Sequence, residues 1–363
     1  MKSIFMAAAL AAGLALSTPA SAADLGGNCC ADLEERVAEL EATAARKGNR
    51  KVSLTVSGEV NQAIIWADLD GSSNWVVGNN NNSTTKFRFA GDAKIDSSWS
   101  AGYIIEVGVG GFSDAGPAND LSIRHAALYI GGPVGKIWLG QTSQATDGIA
   151  EMTVVNTLVA SKMLSWAYLG DPDVFDGKRG EVIRYDSPAI AGFMLSASAN
   201  SGKGNGYDVA LRYAGELGGF KLAAGIGYTQ DVAVSIDLIG FPISAVVVAD
   251  SRYSGSVSLQ HAASGLFVNA AASQLNNVGG LSGFDVRGYH VQGGIEHKFV
   301  GIGATTLYGE WMRYDLDVMG QTDVYGAGIV QAIDAAALDL YVSGRHVPDL
   351  SATVVMGGAR IKF

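Results

Sequence analysis

The chain has 363 residues and a net charge of −10, with 48 % apolar and only 17 % charged residues, and 48 glycines against 7 prolines. The acidity argues against nucleic acid as a partner. After the leader, the longest apolar runs lie around Ile243 to Ala249, far short of the about twenty residues a spanning helix needs.

The N-terminus reads MKSIFMAAALAAGLALSTPASA. Lys2 supplies a basic start, Ile4 to Leu16 an apolar stretch and Ala20-Ser21-Ala22 a small-residue cleavage site. This predicts a signal peptide over 1–22, a mature chain from Ala23, and export. Cys29 and Cys30 stand side by side, not directly after the apolar stretch, which excludes lipoprotein attachment; no further metal ligands lie nearby. Two readings stay open for them, an interchain disulfide in an oxidising compartment or unpaired thiols. Asp32 to Lys47 is the one clear helical signal, with Leu33, Val37, Leu40 and Ala44 at three- and four-residue steps. Acids lead and bases follow, which suits the helix dipole. At about four turns it is marginal alone, and serves either as a short periplasmic coiled coil with neighbouring copies or as a solvated linker. The predicted organisation is a signal peptide (1–22), an N-terminal periplasmic helical segment (23–50) and a β-barrel domain (51–363).

From Lys51 to Trp66 the period changes to two. Val52, Leu54, Val56, Gly58, Val60, Ile64 and Trp66 share one face, and Lys51, Ser53, Thr55, Ser57, Glu59 and Asn61 the other. The run is too long for an ordinary soluble strand and fits a tilted strand crossing lipid. About sixteen such segments follow to Phe363, at roughly twenty residues per strand plus connection. Phe220, Leu222, Ala224, Ile226 and Tyr228 are predicted outward, and Gly288, His290, Gln292, Gly294, Glu296 and Lys298 inward. Connections alternate. Short turns are expected near Ser97-Ser98, Gly131 to Gly135, Pro188 to Gly192, Gly215 to Gly219, Ala262 to Gly265, Val300 to Ala304 and Asp334 to Ala336. Longer loops are expected near Asp68 to Ser83, Phe112 to Leu121, Thr142 to Gly180, Asp231 to Asp250 and Asn276 to Asp285. Short turns at one end and long loops at the other are the asymmetry of an outer-membrane barrel. Phe193, Phe220, Phe299 and Phe363 all fall at the short-turn end, as a lower aromatic girdle requires.

The longest connection, Thr142 to Gly180, carries Asp147, Glu151, Asp171, Asp173 and Asp176 around an apolar middle that includes Met152, Val155, Val159, Met163, Leu164 and Trp166. Such a loop is costly in open water and is expected to fold into the lumen and narrow it. Inward faces of the strands offer Lys86, Arg88, Arg124, Arg184, Arg212 and Arg252. The expected constriction sets wall bases (Lys86, Arg88, Arg124, Arg184 and Arg212) against loop acids (Asp147, Glu151, Asp171 and Asp173), a transverse field that orients polar solutes. The five histidines have no metal spacing, and no nucleophile elbow or phosphate loop occurs. No enzyme, cofactor or metal is expected.

The block CCADLEERVAELEATAARKGNRKVSLTVSGEVNQA (Cys29 to Ala63) resembles the opening of the alphaproteobacterial general porins, the rhizobial and Brucella outer-membrane family. KFRFAGDAKI, LYIGGPVGKIWLGQ, EVIRYDSPAIAGF and the terminal Phe363 are similar to further blocks of that family. The matching positions are Phe87, Arg88, Phe89 and Gly91, the turn Gly131-Gly132-Pro133 with Gly135, and Arg184-Tyr185 before Ser187-Pro188. The resemblance implies an all-β, sixteen-stranded transmembrane antiparallel barrel with an inward-folded third loop. It also implies a homotrimer in outer-membrane lipid, passive diffusion of small hydrophilic solutes, and Phe363 as the signal read by the barrel assembly machinery. Sixteen strands leave an aqueous lumen, which eight would not. Three rivals remain: a substrate-selective channel, a rim enzyme, and an envelope-anchoring or adhesive protein acting through Asp32 to Lys47. The net acidity suggests a mild cation preference, which arginines at the aperture would reverse.

Overall fold

The computed structural model describes residues 51–110, 121–164, 175–201, 206–237, 244–317 and 320–363. The predicted signal peptide, the cysteine pair and the helical segment Asp32 to Lys47 lie outside them, as do Asp171 and Asp173.

The strands in chain order are β1 (Thr55–Leu69), β2 (Ser72–Asn79), β3 (Lys86–Lys94), β4 (Ser100–Val109), β5 (Leu121–Gly132) and β6 (Gly135–Ser143). Then come β7 (Arg179–Asp186), β8 (Phe193–Asn200), β9 (Tyr207–Leu217), β10 (Phe220–Asp237), β11 (Ser244–His261) and β12 (Leu266–Asn276). The last are β13 (Val286–Val300), β14 (Gly303–Leu316), β15 (Gly320–Ile333), β16 (Leu338–Val347) and β17 (Ala352–Lys362). β2 and β3 both pair with β1, through Gln62↔Asn79 and Glu59↔Lys86 respectively, so they are two halves of one barrel strand. Each later strand pairs antiparallel with the one before it, and β17 returns to β1 from Glu59↔Lys362 to Leu69↔Ala352. The result is a closed sixteen-stranded barrel with no free edge.

Closure satisfies the backbone within the sheet, which is what lets strands enter lipid. Side chains then sort by the period of two. On β1, Val60, Ile64 and Trp66 are exposed on the outer face while Glu59 and Asn61 are buried on the inner. Phe193, Phe220, Phe299 and Phe363 are exposed at the short-turn end. Phe193 packs on Tyr213 (ring centroids 4.7 Å apart) and Phe220 on His261 (4.9 Å). At the opposite end Tyr228 lies between Tyr207 (6.3 Å) and Tyr253 (5.0 Å). Two aromatic belts therefore bound an apolar band, as amphipathic rings at the two interfaces require.

Two stretches expected as loops are largely strand. Within Asp68 to Ser83, Asp70 (φ 51°) and Gly71 (φ 82°) form the two-residue turn between β1 and β2. An Asp-Gly dipeptide favours that left-handed pair because the turn matches the strands' twist. Within Asp231 to Asp250, β10 and β11 stay paired from Val232↔Ala249 to Asp237↔Ser244. There Val232, Val234 and Ile236 alternate with Ala233, Ser235 and Asp237, a strand pattern within the stretch expected as a long loop.

Candidate functional site

Between β6 and β7, residues 144–164 and 175–178 lie against the inner faces of other strands, and the wall is built to receive them. Ser198 and Asp208 accept from the backbone of Ala145 (3.0 Å) and Thr146 (2.6 Å). Ser256 accepts from Met152 N (3.1 Å) and donates to Ile149 O, while Ser258 accepts from Val154 N (2.9 Å). Glu296 accepts from Asn156 N (2.8 Å), and Asp339 from Asn156 Nδ2 (3.0 Å). Ser343 donates to Ala160 O (2.9 Å) and Ser254 to Phe175 O (3.0 Å). Backbone without a ladder of its own must find partners when it leaves water, and small hydroxyls at alternate strand positions supply them. Apolar residues of the segment fill what remains. Val155, Val159 and Ala160 pack with Phe267, Tyr308, Tyr341 and Met356, and Met163, Leu164 and Phe175 with Leu275, Met312 and Tyr314. Inward glycines make room: a Cβ on Gly225 would stand 2.5 Å from Met152 Sδ, and one on Gly288 3.1 Å from Leu164.

The deepest anchor is Glu310 on β14, whose side chain is 1 % exposed. It accepts from Arg345 Nε (2.8 Å), Gln292 Nε2 (3.2 Å), His290 Nε2 (3.2 Å) and Ser161 Oγ. Arg345 also donates to Ser161 Oγ (2.7 Å) and Lys162 O (3.2 Å). Leu164 N donates to His290 Nδ1 at 3.3 Å, which leaves Nε2 as the protonated nitrogen facing the carboxylate. A buried carboxylate needs this many donors to offset its lost hydration. A second anchor lies within the segment itself. The Asp176 carboxyl accepts from Gly148 N (2.8 Å) and Ala150 N (3.1 Å), tying the returning strand of chain to the outgoing one. Burial, reinforced by the nearby Asp147 carboxylate, pushes the Asp176 carboxyl up to about 6.

The wall of β3 to β5 is built differently. Arg88 Nε and Arg124 Nε reach the two oxygens of Glu106 at 2.7 and 2.8 Å, and Lys86 Nζ reaches Glu59 at 2.6 Å. Between β4 and β5 the register shifts, so that Glu106 faces His125 while Val107 faces Ile123. Arg124 is the extra residue of this β-bulge, and it turns inward together with its neighbour His125. His125 Nε2 stands 3.8 Å from Glu106 and its Nδ1 is 2.9 Å from Thr142 Oγ1.

Among the residues expected at a constriction, Arg88 and Arg124 meet on Glu106. Lys86 sits one pair along the same strand. Arg184 caps the start of the inner segment, donating to Ser143 O (2.6 Å) and pairing with Asp186 (3.1 Å). Arg212 donates to Ala145 O (2.6 Å) and Asp147 O (2.9 Å), which makes it a clamp on the segment. Asp147 lies 3.8 Å from Arg179 and Glu151 2.8 Å from Lys162. Arg252 is buried beside Thr229. The pattern put Glu59 on the polar face of the first strand but gave no role to the wall carboxylates Glu106, Glu310 and Asp339, although each is the only acid in its immediate stretch of strand. It also passed over Asn80, at the break between β2 and β3, whose Nδ2 donates to Val159 O at 2.7 Å.

The same architecture recurs in solved structures. The anion-selective porin from Comamonas acidovorans superposes with a TM-score of 0.62 at 18 % identity, covering 86 % of this chain and 100 % of that one. The Salmonella typhi OmpF in complex with daunomycin gives 0.59 at 12 %, covering 86 % and 98 %. A mutant of the Rh. blastica porin gives 0.55 at 14 %, covering 86 % and 100 %. At these identities the likeness is one of fold. No curated protein sequence matches the chain. The sequence profile of Gram-negative porins, however, matches residues 7–349, nearly the whole length, and with the closed barrel and its polar interior in view the chain belongs to the Gram-negative porin family.

Proposed function

We propose that the chain forms a passive, water-filled channel for small hydrophilic solutes and ions across the outer membrane. The observation that carries this is the sorting of the wall: apolar outside between two aromatic belts, charged and hydroxylated inside, with the described residues of one segment laid along part of the inner face. A barrel of sixteen strands is wide enough to keep an aqueous path beside that segment. We place the aperture between the described part of the segment, with Asp147 and Glu151, and the wall bearing Lys86, Arg88 and Arg124, with Arg184 and Arg212 holding the segment's start. Resemblance of the Cys29 to Ala63 block supports placement among alphaproteobacterial general porins, export by a cleaved signal peptide over 1–22, and a homotrimer. Phe363 supports recognition by the barrel assembly machinery: its backbone pairs with Gly58 (2.8 and 3.0 Å) while its ring stands exposed at the rim.

Single-channel current of the purified, refolded protein in a planar bilayer tests the reading. Ohmic steps, arriving in threes, are expected; an absence of steps from folded barrels would sink it. A second reading, a solute-selective channel, draws on Tyr129 and Trp138. Their inward rings lie 4.8 Å apart, with Lys136 Nζ 4.2 Å over Tyr129. Saturable block of the current by one solute class would favour it.

A further inference from the structure

We infer that the channel selects small anions, inorganic or carboxylate, despite the chain's net charge of −10, and that the depth at which charges sit sets this preference. The inference rests on the diffusion-channel reading. Net charge counts residues over the whole chain, whereas a permeating ion responds to charges that water in the aperture can reach.

In the ion pairs of the open wall the partner that water reaches is the base. The Arg88 side chain is 42 % exposed and its partner Glu106 1 %. Arg124, on the same carboxylate, is 21 % exposed. Lys86 is 22 % exposed against 10 % for Glu59, and Arg179 26 % against 15 % for Asp147. In these pairs the carboxylate sits deeper and the cation lies over it. The arrangement follows from length: a Glu on β4 stays near the strand, while arginines from both neighbouring strands reach across it and leave guanidinium edges in water. The β-bulge at Arg124 adds a second cation where strict alternation would have allowed one inward residue.

The described acids of the inner segment do not counter this. Asp176 is buried and holds two backbone N–H groups. Asp147 accepts from Ser143 Oγ. Glu151 and Lys162 form a pair of nearly equal exposure, 14 % and 13 %. Glu296 on β13 is taken up by Asn156 N, Thr306 Oγ1 and Gln260 Nε2. Two arginines share the one carboxylate of Glu106, so that cluster is net positive, with its positive edge toward the lumen.

The test is the zero-current potential of the full-length protein in a planar bilayer under a KCl gradient. A charge roughly 8 Å from an ion's path in salt-screened water raises one ion and lowers the other, and so changes the local anion-to-cation ratio by about twofold. The wild type is expected to favour chloride. Arg88→Gln with Arg124→Gln should lower the chloride-to-potassium permeability ratio by about fourfold, and Glu106→Gln should raise it by about twofold. Lys86→Gln, which leaves the Glu106 cluster intact, serves where the double variant does not refold, with an expected fall of about twofold. Conducting steps with a cation preference in the wild type overturn this inference and leave the channel reading standing. So does an anion preference unchanged in these variants. A lack of conducting steps removes the channel reading, and the inference with it.

Discussion

The inner faces of β10 to β17 and of β3 to β5 follow the same two-residue alternation, yet they do different work. The first is a docking surface. Its hydroxyls, Ser256, Ser258 and Ser343, bind backbone of the inner segment, and its ion pair Glu310–Arg345 is buried beneath that segment. The second carries basic side chains that face water, over carboxylates they partly cover. Polar residues at inward positions thus divide into those that hold chain and those that shape a field. The environment decides what each is worth. A buried ion pair is costly to break because the surviving charge stays desolvated, whereas an ion pair reached by water contributes little to stability.

The largest effect is therefore expected under the segment. Glu310→Ala leaves Arg345 and His290 buried without their carboxylate, and should cost about 3–5 kcal/mol. Thermal unfolding of the refolded barrel would read the loss, and conductance should rise as residues 161–164 come away from the wall. An unchanged conductance would mean that the segment is held elsewhere. Next comes Gly225→Val, whose Cβ would stand 2.5 Å from Met152 Sδ and 2.9 Å from Ile149 Cδ1. Overpacking of this kind costs about 1–3 kcal/mol. Because it acts on the segment, it should disturb single-channel current more than barrel stability; the reverse result would place the clash in the wall.

Much of this division was legible in the sequence. Alternation located most of the barrel strands and the outward Phe residues, and the apolar middle of Thr142 to Gly180 marked a stretch that needs cover, while β2 and the paired ends of β10 and β11 were read as loop. Three things were not. The bulge at Arg124 is invisible to a rule of period two, since one extra residue leaves both flanking halves correctly alternating. The second is the role of the wall carboxylates Glu106, Glu310 and Asp339, although Glu106 in YIIEVGV is the single charge among apolar residues. The third is partnership: Arg212 and Arg88 look alike in sequence, but one clamps backbone and the other faces water. Which role an inward arginine takes depends on where a distant segment lies, and no local pattern records that.

A smaller effect separates the two regions by pH. Burial raises the Asp176 carboxyl to about 6, so the folded chain holds that proton more tightly than the unfolded chain does. The stability this contributes is complete below the ordinary carboxylate range, about 4, and is lost as pH rises through about 6. Asp176→Asn keeps an acceptor for Gly148 N or Ala150 N and removes the ionisation. The wild type should lose stability across that window and the variant should lose less of it, measured by unfolding at a series of pH values. Parallel profiles for the two proteins would exclude Asp176 as the titrating group.

The smallest stability effect is expected on the open wall. Lys86 Nζ lies 2.6 Å from Glu59, closer than Arg345 Nε or His290 Nε2 lies to Glu310, yet Lys86 is reached by water. Lys86→Gln removes the charge but leaves Glu59 with Ser83 Oγ at 2.6 Å and Arg360 at 3.8 Å. Distance alone would rank this pair with Glu310–Arg345. Solvent screening and the remaining partners instead put its contribution at about 0–1 kcal/mol. The unfolding midpoint should therefore stay close to that of the wild type while the reversal potential moves. A destabilisation as large as that of Glu310→Ala would show that Glu59 depends on Lys86 as a buried charge does, and the open wall would then be a second docking surface.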